Sequence, residues 1–117
     1  MTKWSIEESR ELYNIRGWGS GYFDINNKGH IIVQPKNDNH HSIDLKELVE
    51  DIQAKGYSLP ALIRFSDILK ASIAKLANAF NKSIKEYNYK GAYHGVYPIK
   101  VNQQRQVVEE VVKFGRP

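Results

Sequence analysis

The chain of 117 residues contains no cysteine, a single methionine and only four prolines. Without cysteine the chain has no disulfide, no thiolate metal ligand and no cysteine nucleophile. No apolar run is long enough to span a membrane, and the N-terminus lacks the apolar core of a signal peptide. These absences predict a cytoplasmic protein that makes no membrane contact.

Acidic residues are also fewer than basic ones, with 13 Asp and Glu against 17 Lys and Arg, which gives a net charge of +4. The basic residues are scattered and have acids between them, whereas nucleic-acid binding favours a clustered basic stripe. We therefore expect no nucleic-acid partner. The hydrophobic content of 41% is enough for one small domain with a core and argues against disorder.

The first half of the chain predicts two helices and a hairpin. Ser5 and Glu8 have the spacing of a capping box, which predicts a helix over residues 6–13. Two short strands, residues 22–25 and 30–34, flank a turn rich in Asn and Gly and are expected to pair antiparallel.

The remainder of this half mixes turn chemistry with a helical pattern. Three glycines in residues 17–21 indicate a tight, backbone-permissive segment. Residues 35–41 read as a polar loop. Asp44 and Glu47 then have the spacing of a second capping box, followed by apolar residues at helical spacing, and Gly56 ends this helix.

The second half predicts alternating strands and helices. Residues 59–65 and 93–101 read as strands, and a helix of about twenty residues starting at Ser66 or Asp67 connects them. A last helix is predicted over residues 103–114. A strand, a crossover helix and another strand imply a parallel pair, the first β-α-β-α of a larger α/β sheet.

This pattern predicts an α/β protein with two parts. Residues 1–56 form a hairpin and helix segment, and residues 57–117 begin a (β/α)₈ barrel. Because two parallel strands cannot close a sheet and such a barrel needs roughly 250 residues, we expect the chain to be the N-terminal part of a longer protein.

Lys100 is the main candidate for chemistry. It lies at the predicted carboxyl end of a strand, where α/β folds build their active sites. A partly desolvated amine there can lose its proton and form a Schiff base with an aldehyde cofactor. Strand alternation places His94 on the same side, and Asn102 could support the loop. The alternative is that Lys100 is solvated surface, His94 a packed or surface histidine and Asn102 a turn former.

Three blocks resemble the biosynthetic arginine decarboxylases, in that family's order: residues 4–23, residues 59–69 and residues 95–105 with the run Tyr-Pro-Ile-Lys-Val-Asn. A bare strand lysine would fit any fold-type III enzyme that uses pyridoxal 5′-phosphate (PLP), such as ornithine or diaminopimelate decarboxylase or alanine racemase. The long first block is what points to the arginine enzyme.

The resemblance implies an alanine-racemase-like (β/α)₈ barrel with Lys100 as the residue that binds PLP. Asn102 and His94 are candidates for supporting PLP because of their positions near Lys100 in the sequence. The resemblance implies conversion of L-arginine to agmatine and CO₂ for polyamine and spermidine biosynthesis. It also implies a magnesium-dependent, homo-oligomeric parent protein in which residues 1–56 pack with a β-rich domain. No metal ligand is assigned in this chain, and we expect the 117 residues alone to be inactive.

Two alternatives stay open. The same fold and cofactor could act on ornithine, lysine or diaminopimelate. A small basic domain without catalytic activity could instead bind an acidic partner or nucleic acid.

Overall fold

Five helices and three strands make up the part of the chain that the computed structural model describes, residues 3–35 and 41–115. In chain order they are α1 Ile6–Leu12, α2 Ile15–Gly19, β1 Phe23–Ile25, β2 Ile31–Val33, β3 Ile43–Asp44, α3 Leu45–Ala54, α4 Ser66–Glu86 and α5 Arg105–Gly115. They fall into two units, Met1–Arg64 and Phe65–Pro117, hereafter the first and second units. None of these helices has the length and apolar character needed to cross a membrane.

The predicted capping box at the start of α1 is confirmed. Ser5 Oγ accepts from the Glu8 backbone N–H at 3.2 Å, and the Glu8 carboxylate accepts from the Ser5 N–H at 2.6 Å. The hydrogen bonds from Ser5 lower the pKa of Glu8. The pair satisfies two N–H groups that the helix itself leaves without partners.

The predicted hairpin is confirmed as well. β1 and β2 pair antiparallel with Ile25 opposite Ile31. Asn26 Oδ1 accepts from the backbone N–H groups of Lys28 and His30 and fixes the turn. The short β3 extends the sheet to the order β1-β2-β3, and its two residues are too few to show strand periodicity in the sequence.

The core of the first unit is small and formed by Ile15, Ile25 and Val33, each buried. The glycine segment contributes to it through α2, because Gly19 lies so close to β1 that an added Cβ would come within 3.3 Å of the Phe23 Cβ. The absence of a side chain at Gly19 therefore lets α2 pack directly on the hairpin.

An ion pair joins α1 to the same hairpin. Arg10 contacts both carboxylate oxygens of Asp24, at 2.6 and 3.3 Å, and donates to the Ile25 carbonyl at 2.8 Å. Burial raises the pKa of Asp24, but the hydrogen bond from Arg10 and that from the Ile25 N–H outweigh it, so the net pKa is lowered.

Asp44 is the N-cap of α3, as predicted, whereas the Glu47 carboxylate, expected to complete a capping box, accepts from Lys28 Nζ instead. Asp44 Oδ1 accepts from the backbone N–H groups of Lys46 and Glu47, and the helix ends before Gly56, which has a positive φ of 87°. Most of the predicted polar loop, residues 36–40, lies outside the described residues.

The second unit consists mainly of α4 and α5, both predicted. The two helices pack against each other, and Ser66 Oγ donates to the Glu110 carboxylate between them. Val107 is buried. The N-cap of α4 is Phe65, with no side-chain hydrogen bond, so the predicted capping by Ser66 or Asp67 is wrong.

The two predicted parallel strands are also wrong for the described chain. Residues 59–65 and 93–101 are irregular, and the three-stranded antiparallel sheet is the sheet that the described residues form. A strand is held by hydrogen bonds to a neighbour, and neither segment pairs with another here. Pro98 also lacks the N–H that a ladder needs. The described chain is a mixed α/β structure without a barrel.

Candidate functional site

Lys100 lies in a tight turn just before α5, which we call the lysine turn (residues 98–101). The Val101 N–H donates to the Pro98 carbonyl at 3.0 Å and closes it. Lys100 is exposed. The expectation of a strand end and a partly desolvated amine is therefore corrected, because the backbone turns at this point. The exposed amine is accessible to a small molecule in solvent.

Two half-buried residues flank the lysine turn and hold its ends. Tyr97 Oη donates to the backbone carbonyl of Asn102 at 3.2 Å, so one hydrogen bond spans the whole turn. Asn102 Oδ1 accepts from the Gln104 N–H at 3.1 Å. The Gln104 carbonyl in turn accepts from the Val107 and Val108 N–H groups at the start of α5. We call the hydrogen bond from Tyr97 Oη to the Asn102 carbonyl the tyrosine brace. Lys100 lies within the segment that this brace spans, just before α5.

Sequence reasoning missed Tyr97. Strand alternation put it on the face opposite Lys100, and that argument fails once the segment is no strand. A signal was present in its spacing, because a long side chain three residues before Lys100 can reach across a turn of four residues to its far end.

His94 lies in a different setting. It lines an open groove of about 440 Å³ in the second unit, whose other lining residues are mostly apolar and aromatic: Phe80, Ser83, Ile84, Tyr87, Tyr89, Ala92 and Tyr93. Phe80 and Tyr93 stack there with ring centroids 4.4 Å apart. Lys100 and Asn102 do not line this groove. Asn102 therefore lies at the end of the turn that contains Lys100. That His94 forms part of the same site as these two residues stays a prediction.

A second polar cluster lies in the first unit, where the hairpin turn meets α3. Asp44 Oδ2 is 2.8 Å from His30 Nδ1 and accepts from Asn26 Nδ2 at 2.8 Å. Glu47 accepts from Lys28 Nζ at 2.8 Å. Burial raises the pKa of Asp44, but the hydrogen bonds with His30, the Glu47 N–H and Asn26 outweigh it and bring the pKa to about 2.

This cluster holds the one set of three potential metal-ligating side chains found within the described ranges, His30, Asp44 and Glu47, with ligand atoms within 4.8 Å of one another. Magnesium prefers six oxygen ligands in a near-ideal octahedron. Here the imidazole and both carboxylates are already engaged in hydrogen bonds within the protein. The cluster does not fit magnesium, and it serves to fasten the hairpin to α3.

Comparison with known proteins shows that the chain is similar to a class of decarboxylases, those described as acting on arginine. The chain is similar to proteins described as biosynthetic arginine decarboxylase from three bacteria. It is 59% identical to that of Gloeobacter violaceus over 117 residues, 53% to that of a Nostoc species over 114 and 52% to that of Phocaeicola vulgatus over 116. No family model matches the chain.

These matches cover 97% to 100% of this chain but only 17% to 18% of each relative. The resemblance predicted from the three sequence blocks is thereby confirmed along essentially the full chain. The chain corresponds to less than a fifth of the length of the relatives it matches.

Proposed function

We propose that this chain is the N-terminal part of a PLP-dependent arginine decarboxylase, which converts L-arginine to agmatine and CO₂. The observation that carries the proposal is the identity of up to 59% over all 117 residues with proteins described as biosynthetic arginine decarboxylase. Because the chain spans about 18% of their length, the activity belongs to a longer protein.

Lys100 is the residue that would hold PLP in this proposal. The fit rests on an observed feature, since a primary amine on an exposed turn is accessible and is the group that condenses with an aldehyde. When bound, PLP supplies an electron sink for the electron pair left behind as the α-carboxylate departs.

The chain's own contribution is to present the amine. Asn102 joins the lysine turn to α5 through its hydrogen bond to Gln104, and the eleven residues of α5 form a regular helix beyond that point. Such anchoring limits the positions that Lys100 can take, and orientation is a major part of what a PLP enzyme adds to its cofactor.

Other parts of the proposal rest on the resemblance. They are the alanine-racemase-like barrel, the division at residue 56, the homo-oligomeric parent and its place in the cytoplasm. Magnesium is derived from no residue here, because the His30 cluster does not fit it. Arginine is favoured over ornithine, lysine or diaminopimelate by the names of the relatives.

The first test locates the cofactor. The full-length parent protein is incubated with PLP and reduced with borohydride, and the labelled peptide is mapped. We expect the label on Lys100. Lys100→Ala should lose both the label and agmatine formation, while Lys82→Ala, which removes another exposed lysine, should keep both. A label on another lysine would refute the assignment.

The second test concerns the 117-residue chain by itself. Agmatine formation from arginine and PLP is compared with PLP alone. We expect no excess, because enzymes obtain their rate from orientation and preorganised electrostatics, typically worth many kcal/mol. Turnover above the blank that Lys100→Ala abolishes would make the chain a minimal enzyme in its own right.

A further inference from the structure

We infer that Tyr97 is a positioning residue for Lys100, acting through the hydrogen bond that spans the lysine turn. The inference rests on the proposed function of Lys100 and adds a residue to it. Tyr97 need not touch cofactor or substrate, and its role is to restrict where the Lys100 amine can be.

The geometry of the turn carries this argument. The Pro98–Val101 hydrogen bond fixes only the four residues of the turn itself. Tyr97 Oη reaches past all four and donates to the Asn102 carbonyl. The ends of the segment that carries Lys100 are thus tied to each other by a side chain, in addition to the backbone.

The burial of the residues in and beside the lysine turn agrees with a role for Tyr97 in holding the turn. Tyr97 and Asn102 are half-buried, whereas Lys100 and both of its neighbours, Ile99 and Val101, are exposed. The residues at the tip of the turn gain little restraint from packing. Their order depends on the hydrogen bonds at its base, and among these the Tyr97 hydroxyl is a side-chain donor that spans the turn from one end to the other.

Asn102 links this brace to α5. Its carbonyl receives the Tyr97 hydroxyl, while its side-chain oxygen receives the Gln104 N–H. The brace is therefore attached to the helix through one residue with two acceptors. Loss of the Tyr97 hydroxyl should loosen the turn without removing the start of the helix.

The test compares Tyr97→Phe with wild type in the full-length protein. The substitution removes one oxygen and keeps the ring. Tyr87→Phe is the matched control, because Tyr87 lies in the same unit, is exposed and has a hydroxyl that makes no hydrogen bond to the described chain. The measurements are hydrogen exchange of the Val101, Gln104 and Val107 amides without cofactor, the PLP concentration for half-maximal borohydride labelling of Lys100, kcat with KM for arginine, and the melting temperature.

We expect Tyr97→Phe to speed exchange at Val101 and to raise the PLP requirement, each on the order of two- to tenfold, as for the loss of one net hydrogen bond. The value of kcat should fall, while KM for arginine and the melting temperature stay as in wild type. A purely structural role would instead lower the melting temperature and speed exchange at the buried Val107 equally.

The outcomes separate the two proposals. If wild type is labelled at Lys100 and Tyr97→Phe behaves as Tyr87→Phe does, the positioning role is refuted and the proposed function stands. Labelling of a different lysine in wild type refutes both. If Tyr97→Phe lowers the melting temperature, the ratio of its exchange rates at Val101 and Val107 decides, and a ratio unchanged from wild type refutes positioning.

Discussion

The two units bury their apolar residues to different extents. The first unit contains the buried residues Ile15, Ile25 and Val33, whereas Val107 is the buried hydrophobic residue of the second unit within the described ranges. Both units leave large apolar side chains open to solvent, among them Leu12 at 65% exposed in the first unit and Leu76 at 53% and Val96 at 90% in the second. The first unit is thus held by its own contacts to a greater degree.

Polar contacts follow the same division. The first unit has a capping box on α1, the Arg10–Asp24 ion pair and the cluster of His30, Asp44 and Glu47. The second unit starts its long helix α4 without a side-chain cap. A helix with an apolar stripe gains most of its stability from packing that stripe against another surface, and α4 leaves Leu76 and Phe80 exposed. An apolar stripe at helical spacing, such as that of α4, therefore forms a regular helix without also forming a fully buried core.

The largest expected effect is a cavity in the first unit. Ile25→Ala removes a side chain that is 5% exposed and should lower the free energy of unfolding by about 2 to 5 kcal/mol. Leu76→Ala in the second unit is the matched control and should change it by about 0.5 kcal/mol or less. Urea unfolding of the 117-residue chain measures both. Equal losses would show that the second unit has a comparable core.

Removal of the cap of α3 should come next. Asp44→Ala deletes the acceptor for the Lys46 and Glu47 N–H groups and the partner of His30. We expect a lower thermal midpoint. Asp51→Ala, on the exposed face of the same helix, makes the same charge change and should leave the midpoint nearly unaltered. If both variants fall alike, loss of charge rather than the cap is responsible.

Acid should weaken the first unit in a defined direction. The pKa of Asp44 is about 2 in the folded chain, against about 3.9 in an unfolded one. Its contribution is complete above the unfolded value and is lost as the pH falls through the folded value. The lowered pKa values of Asp24 and Glu8 act in the same sense.

The thermal midpoint should therefore decline as the pH is lowered from about 5 to about 2. Asp44→Asn should make this decline shallower, because the amide does not titrate. Asp51→Asn serves as the control and should follow the wild-type curve. A decline that Asp44→Asn leaves unchanged would assign the acid sensitivity to other groups.

The smallest effect is expected at Val96. This side chain is 90% exposed, so Val96→Ser should alter the free energy of unfolding of the 117-residue chain by about 0.5 kcal/mol or less. A loss as large as that of Ile25→Ala would show that Val96 is covered in solution, and the contrast between the units would then be smaller than it is here.

Local signals were sufficient for part of the fold. The Ser5–Glu8 capping box, the hairpin turn and the Asp44 cap each depend on residues close in sequence, and each is found as predicted. The helical spacing of apolar residues likewise predicted α3, α4 and α5. The strands predicted at residues 59–65 and 93–101 are not formed in the described chain. An apolar run indicates that a segment is favoured in a buried position, but it does not show which strand it would pair with.

The sequence by itself determined the short-range elements, the resemblance to arginine decarboxylases and the candidate Lys100. Only the tertiary structure decided that Lys100 lies on a turn, that Tyr97 braces this turn and that His30 meets Asp44 across fourteen residues. The physical reason is range. Caps and turns are settled by groups a few bonds apart, whereas strand pairing and side-chain contacts between elements depend on which surfaces the folded chain brings together.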